Sequence, residues 1–539
     1  MILVWIPGIL MFSGLISWVA GRWHKEAPRW IALAALLVTS VLLIIIWLQS
    51  RTLTDLSTYH QWFLEFNRQW IPSFGIRFHL AMDGLSLLLL LLTNLLGILS
   101  VLISWKEIEH RAGFFHFNIL FILAGISGVF LAEDLFLFYF FWEVMLIPMY
   151  FLIAIWGHEN RVYASYKFFL FTQGGGLLML LSILGLYFHH AGVTGVYTFD
   201  ITELVKHASS ATWAGLFMAG FLIAFGVKIP AIPVHSWLPD AHTEAPTAGS
   251  IILAGLMLKT GVYGLIRIVI PLFPELSLSI APFAMAVGVA GVLYGAKLAF
   301  AQTDLKRLVA YTSVSHMGFI IIGIYAFNGI AFRGAVMQMI AHALSTGGLF
   351  VVAGIVQERL HTRELKNLGG LWDDMPGLGG FSLVFVMASL GLPALANFVA
   401  EFMILLGTYL SNPLWGVLAS LGLIVSVIYA LRIMQKVFYG PKLKAYKTHD
   451  INIREVVILS ALLIPVVYFG ISPSPVFRTL ATPVNTEIFL KQEKENSGKL
   501  SQKNNFIMQP VNKPLPVPQT TVEPNVLPTA GKEVDHGQD

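Results

Sequence analysis

Apolar runs separated by short polar breaks fill the chain up to about residue 475, and neither the period of an amphipathic helix nor that of a half-buried strand organises them. Each run is roughly 17–25 residues long, enough for a helix to cross the hydrocarbon core of a bilayer. They lie near 2–21, 29–48, 79–104, 114–132, 135–156, 165–188, 211–229, 248–270, 278–300, 305–326, 333–356, 377–397, 414–438 and 453–472, which predicts about fourteen transmembrane spans, numbered 1 to 14 in chain order. The first run has no small-residue cleavage site and is followed at once by the second, so it is expected to be a retained helix. From about residue 488 the chain turns polar and Pro-rich ("KQEKENSGKLSQKNN", "KPLPVPQTTVEPNVLP"). That composition predicts a disordered tail without chemistry of its own.

Composition agrees with this pattern. Of 539 residues, 56% are hydrophobic and 12% charged, with a mean hydropathy of +0.73, more apolar surface than a soluble fold of this size buries. The fold class is therefore an all-α polytopic membrane protein. The formal net charge of +4 comes from residues scattered between the runs, so no nucleic-acid partner is expected. The absence of cysteine rules out disulfides, thiolate metal sites and cysteine-ligated iron–sulfur clusters, and no metal site is expected.

Basic residues set the expected orientation. Arg22, Lys25 and Arg29 follow span 1, Lys106 and Arg111 follow span 3, and Arg161 follows span 5. Lys306 and Arg307 open span 10, Arg359, Arg363 and Lys366 precede span 12, and Lys442, Lys444 and Lys447 precede span 14. These loops share one side, which the positive-inside rule makes cytoplasmic, leaving both termini on the non-cytoplasmic side. The alternate loops are poorer in Lys and Arg, the main exception being the 49–78 segment with Arg51, Arg68 and Arg77.

Six ionisable residues stand inside apolar runs: Glu143, Lys228, Lys259, His316, His342 and Glu401. A single charge at the bilayer centre costs about 2.5–3.5 kcal/mol on insertion scales, so each needs a partner or a role. Any one of them alone is compatible with a structural ion pair. Two acids, two lysines and two histidines in six spans point instead to a proton relay, because all three residue types exchange protons when their surroundings permit.

Two runs also carry helix breakers. In "FGVKIPAIPVHSWLPDAHTEAP", Pro230 and Pro233 should interrupt span 7 just after Lys228, placing that lysine beside freed carbonyls and water. In "ASLGLPALANFVAEF", Gly391 and Pro393 should interrupt span 12 shortly before Glu401. Prolines also make simple kinks in membrane helices, but two broken spans at matching places in two halves mark an internally repeated transporter with an ion path at the midplane.

The strings "FYFFWEVMLIPMYFLIAIWG", "FGVKIPAIPVHSWLPDAHTEAPTAGSIILAGLMLKTGVYG", "DLKRLVAYTSVSHMGF" and "HALSTGGLFVVAGI" resemble the antiporter-like subunits of respiratory complex I. The similarity covers roughly residues 1–475, with several motifs in the family's order. It implies fourteen helices: an N-terminal segment near 1–110, two inverted five-helix repeats near 111–272 and 273–440 with discontinuous spans 7 and 12, and a last helix within about 441–475. Residues 476–539 would form the tail. By the same resemblance Glu143 pairs with Lys228, Lys259 is the central lysine of span 8, His316 and His342 are relay histidines, and Glu401 lies in the exit half. A glutamate at this last position resembles the M-type members, whereas sister subunits usually carry lysine. The family's usual Gly-Leu-Pro-Gly stretch reads "GLPALANF" here.

The function implied is proton translocation coupled to electron transfer from NADH to quinone in other subunits. No cofactor is expected on this chain, with NAD, FMN, iron–sulfur clusters and quinone on partner subunits. The implied partners are the other membrane subunits of the complex, including two related antiporter-like chains, and the lipid bilayer of a bacterial inner membrane. Rival readings are a subunit of a cation/proton antiporter or membrane-bound hydrogenase complex, and a purely structural scaffold.

Overall fold

The computed structural model describes residues 1–50, 62–442 and 448–480. Twelve helices among them are long and apolar enough to cross a membrane, from Ile2–Ala20 to Ile453–Ile471. The two remaining runs are broken. Span 7 runs as Ala214–Lys228 and resumes at Trp237–Glu244, and span 12 runs as Pro376–Ser389 and resumes at Ala396–Ser411. Twelve continuous helices and two interrupted ones account for all fourteen predicted spans.

The spans differ in how far they are shielded. Only 28–33% of the apolar windows of Ile2–Ala20, Ala27–Gln49, Pro413–Phe438 and Ile453–Ile471 is buried, whereas those of Thr247–Leu272, Leu305–Tyr325 and Gly329–Leu360 are wholly buried. A helix apolar on all sides that is also shielded on all sides belongs at the centre of a bundle. These three, spans 8, 10 and 11, carry Lys259, His316 and His342.

Span 8 is also irregular in a way that sequence did not predict. It contains two π-helical turns, Leu253–Met257 and Leu265–Val269, on either side of the α-helical turns Leu258–Gly264 that hold Lys259. A π turn widens the helix by one residue and shifts its carbonyls off the regular ladder, so polar groups can reach them.

The ends of the bundle are chemically different. At one end Arg29 Nη2 donates to the Ile108 carbonyl (2.9 Å) and Trp156 Nε1 to the His110 carbonyl (2.9 Å). There too the Asn160 amide donates to Glu244 (2.9 Å), and Arg363 contacts both Glu244 (3.3 Å) and Asp304. The loops after the odd-numbered spans are thus stitched together at a single basic end, as the charge pattern predicted.

The opposite end carries the main departure from the sequence reading. Segment 49–78 was expected to be a connecting loop, but strands Leu64–Ile71 and Ile76–Met82 form an antiparallel hairpin with Leu64 opposite Met82 and Arg68 opposite Phe78. Its turn closes at Gly75, whose φ of 67° favours glycine. The second strand takes residues that had been assigned to the start of span 3, which begins instead at Gly84 with Asp83 accepting from the Ser86 amide. The alternation in "LEFNRQWI" and "IRFHLAM" is interrupted by charges and flanked by helical runs, which hid it. At the other extreme, Ser474–Leu480 forms a short helix where the tail was expected to begin. Arg51, Lys444, Lys447 and the tail beyond Leu480 lie outside the described residues.

Candidate functional site

Lys259 is fully buried at the centre of span 8. Its Nζ donates to the carbonyl of Ala254, in the first π turn, at 2.5 Å, and meets Nδ1 of His342 at 2.6 Å. The displaced π-turn carbonyl therefore accepts a hydrogen bond from Nζ, and the imidazole stands within hydrogen-bond distance of the same nitrogen.

The row continues through span 10 into the broken span 12. The His342 and His316 rings lie 5.5 Å apart between centroids, edge to face. His316 Nδ1 is 3.1 Å from Glu401 Oε1, and its Nε2 is 3.2 Å from the hydroxyl of Ser389, the last residue of the first half-helix. Gln338 Nε2 donates to Glu401 Oε1 at 3.1 Å and lies 3.2 Å from His316 Nδ1, and the Tyr429 hydroxyl approaches His316 Nε2 at 3.5 Å. Gly391 closes the break: its φ is +78°, and a Cβ built there would lie 2.8 Å from Glu401 Oε2. The interruption thus brings a chain turn against the Glu401 carboxylate.

Lys228 sits at the other break, in the last turn of Ala214–Lys228, where the helix C-terminus favours a cation. The expectation that it would face freed carbonyls is not met. Lys228 is buried against aromatic faces, with Nζ 4.9 Å from the Trp142 ring centroid and 5.9 Å from that of Phe168, and it has no hydrogen-bond partner among the described residues. The Val227 carbonyl is taken by Trp237 Nε1 at 2.9 Å, and the Gly226 carbonyl by the Ala231 amide at 2.8 Å, so the broken helix satisfies these groups itself.

Glu143 is half-buried on span 5, next to Trp142 and 3.5 Å from Gln173 Nε2. It lies within electrostatic reach of Lys228 but forms no ion pair within 4.0 Å among the described residues. Gly261 provides the contact between the Lys228 and Lys259 helices, since a Cβ there would come within 3.0 Å of Lys228 Cβ and 2.9 Å of the Phe225 carbonyl.

Lys259, His342, His316 and Glu401 are therefore gathered into one row of contacts. The Lys228 helix packs on the Lys259 helix at Gly261, and Glu143 lies on the far side of Lys228, outside the row. Sequence reasoning missed the neutral members, Gln338, Ser389 and Tyr429, whose types are common inside helices. It also missed His242 and misjudged Lys306. His242, in the second half of span 7, is buried with its ring stacked 4.7 Å from that of Phe350 and with both ring nitrogens unpartnered among the described residues. It stands in the string "FGVKIPAIPVHSWLPDAHTEAP", of which only Lys228 and the two prolines had been singled out. Lys306 was counted as a loop charge, but it is fully buried and donates to the Ala245 carbonyl at 2.5 Å, because the first turn of span 10 packs against the end of broken span 7. Among the described residues no group of three or more His, Cys, Asp or Glu side chains is arranged to hold a metal.

Residues 132–428, which include all six predicted relay positions, match the family described as NADH:quinone oxidoreductase/Mrp antiporter, TM. The chain is 51% identical over 486 residues to NADH-quinone oxidoreductase subunit M of Pseudomonas aeruginosa, covering 88% of this chain and 95% of that one. It is 49% identical over 488 residues to the Escherichia coli subunit M, covering 89% and 96%. In three dimensions it superposes with a TM-score of 0.78 on a chain of respiratory complex I from Thermus thermophilus with bound NADH, at 30% identity, covering 89% of this chain and 98% of that one. On this sequence similarity and on the shared fold, the chain belongs to the M-subunit family of the NADH:quinone oxidoreductases.

Proposed function

We propose that this chain moves protons across the membrane through Glu143, Lys228, Lys259, His342, His316 and Glu401 while electrons pass from NADH to quinone on partner subunits. The observation that carries this reading is the contact row from Lys259 to Glu401, buried in the most shielded helices and anchored at one end on a π-turn carbonyl and at the other on the break in span 12. NAD, FMN, iron–sulfur clusters and quinone belong to the partners in this reading, and two of the membrane partners are related antiporter-like chains. The basic end faces the cytoplasm, both termini face the other side, and residues 111–272 and 273–440 act as two inverted repeats.

The switch in this account is the incomplete pair of Glu143 and Lys228. The ammonium rests on aromatic faces, which attract a cation but cannot take its proton. When Glu143 swings in as a carboxylate, it holds Lys228 protonated. When it withdraws or is neutralised, the charge on Lys228 is uncompensated and its proton moves towards Lys259. From Lys259 the imidazole of His342 is the immediate acceptor at 2.6 Å, and His316 and Glu401 follow.

Glu143→Ala is expected to abolish NADH-driven proton uptake into membrane vesicles and quinone reduction together, while Glu143→Asp keeps part of both. Assembly is checked on a native gel. A fully assembled Ala variant with full turnover would remove Glu143 from the switch.

A further inference from the structure

A second group of buried ionisable residues lies on the hairpin side of Lys259 and has no part in the row described above. Lys259, Tyr263 and Arg267 follow one another at four-residue spacing along span 8 and are all buried. The Tyr263 hydroxyl donates to the Phe130 carbonyl at 3.0 Å, lies 3.1 Å from the Ser86 hydroxyl and receives Arg267 Nε at 3.3 Å. Arg267, in the second π turn, donates to Asp83 at 2.6 Å and stands 3.8 Å from Glu133 Oε1.

Glu133 is 2% exposed, and its Oε1 has no hydrogen bond among the described residues. Its backbone is held on both sides, the amide donating to the His79 carbonyl at 3.0 Å and the carbonyl accepting from the Ile201 amide at 2.9 Å. The charged groups facing it are Arg267 from span 8, Asp83 from the cap of span 3, His79 from the hairpin and Asp200 from the loop before span 7. His79, also buried, is flanked by two carboxylates: Nδ1 lies 2.8 Å from Asp200 and Nε2 lies 2.9 Å from Glu65, whose side chain is 50% exposed. Glu133 faces His79 as well. The row therefore leads from the interior of the bundle to the surface of the hairpin.

We infer that Glu133, Asp200, His79 and Glu65 form a proton-release branch from span 8 to the hairpin surface, with Arg267 offsetting part of the cost of a buried Glu133 charge. The inference rests on the proposed relay through Lys259. One proton leaves the Glu133 carboxyl and enters His79 at Nδ1 by way of the Asp200 carboxylate, which its hydrogen bond to His79 holds below the usual carboxylate range so that it passes the proton on without keeping it, while the proton on Nε2 passes to Glu65 and then to water. One proton crosses, and no electron moves. Buried Glu133 is pushed up to about 7, because burial outweighs the attraction of Arg267, and the carboxylates around His79 hold its imidazole above its ordinary value. Glu133 thus changes protonation near neutral pH, where a transfer group works best, and His79 holds a proton more readily than a free imidazole.

The test uses the whole complex in inverted vesicles, with pH equalised across the membrane by ionophore for turnover and proton uptake measured without it. Wild-type turnover is expected to fall as pH drops below about 7, because Glu133 then keeps its proton. Glu133→Gln should assemble, lose proton uptake by about tenfold and lose this acid limb, and Glu133→Asp should regain part of both. His79→Gln repeats the test at a second position. Wild-type uptake and pH profile in both Gln variants, with Lys259→Ala inactive, would overturn this branch alone. Normal pumping by Lys259→Ala would overturn the relay it rests on. Failure of both Gln variants to assemble would make the row a structural anchor for the hairpin and likewise overturn the branch.

Discussion

Glu401 is the acid end of the Lys259 row, with His316 and Gln338 bonding its carboxylate and the turn at Gly391 packed against it. Glu401→Gln keeps the shape and a carbonyl acceptor for Gln338 but removes a carboxylate that can take up and release a proton. Proton uptake per NADH is expected to fall by about tenfold in a complex that still assembles, and unchanged uptake would leave Glu401 as a packing residue. All six residues proposed for the relay stand out in the sequence, because an ionisable side chain within an apolar run is conspicuous. Their order was less so. Contact between Lys259 and His342 depends on how spans 8 and 11 pack, and the apposition of Lys228 to Trp142 depends on spans 5 and 7. The polar residues that fix the geometry carry no charge and left no mark.

At the scale of elements, the breaks in spans 7 and 12 could be read from proline and glycine because their cause is local: a missing amide hydrogen in one case, a left-handed φ in the other. Gly391→Val tests the second break. A side chain at φ +78° costs roughly 1–2 kcal/mol in backbone strain alone, and here its Cβ would also press on Glu401. Turnover and proton uptake should fall together, by about tenfold or more, with assembly retained. Normal coupling would mean that the turn does not position Glu401. The π turns of span 8 and the hairpin were not legible. The former arise from packing around a helix buried on every side, and the latter has strand alternation too short and too charged to stand out between transmembrane runs.

For the whole molecule, charge asymmetry and hydropathy were enough to give the class, the number of spans and the sharing of one basic end, because each follows from summed composition. The central position of spans 8, 10 and 11 was not, since every span is apolar and only tertiary contact separates the lipid-facing from the shielded. That centrality makes Lys259 the residue on which the account turns. Lys259→Arg keeps the positive charge, but arginine cannot release its proton, so a relay and a structural ion pair respond in opposite ways. Proton uptake per NADH oxidised, measured in vesicles carrying the assembled Lys259→Arg complex, is the most direct test. Assembly with uptake reduced about tenfold or more is expected, and uptake equal to that of the wild type would remove Lys259 from the proton path.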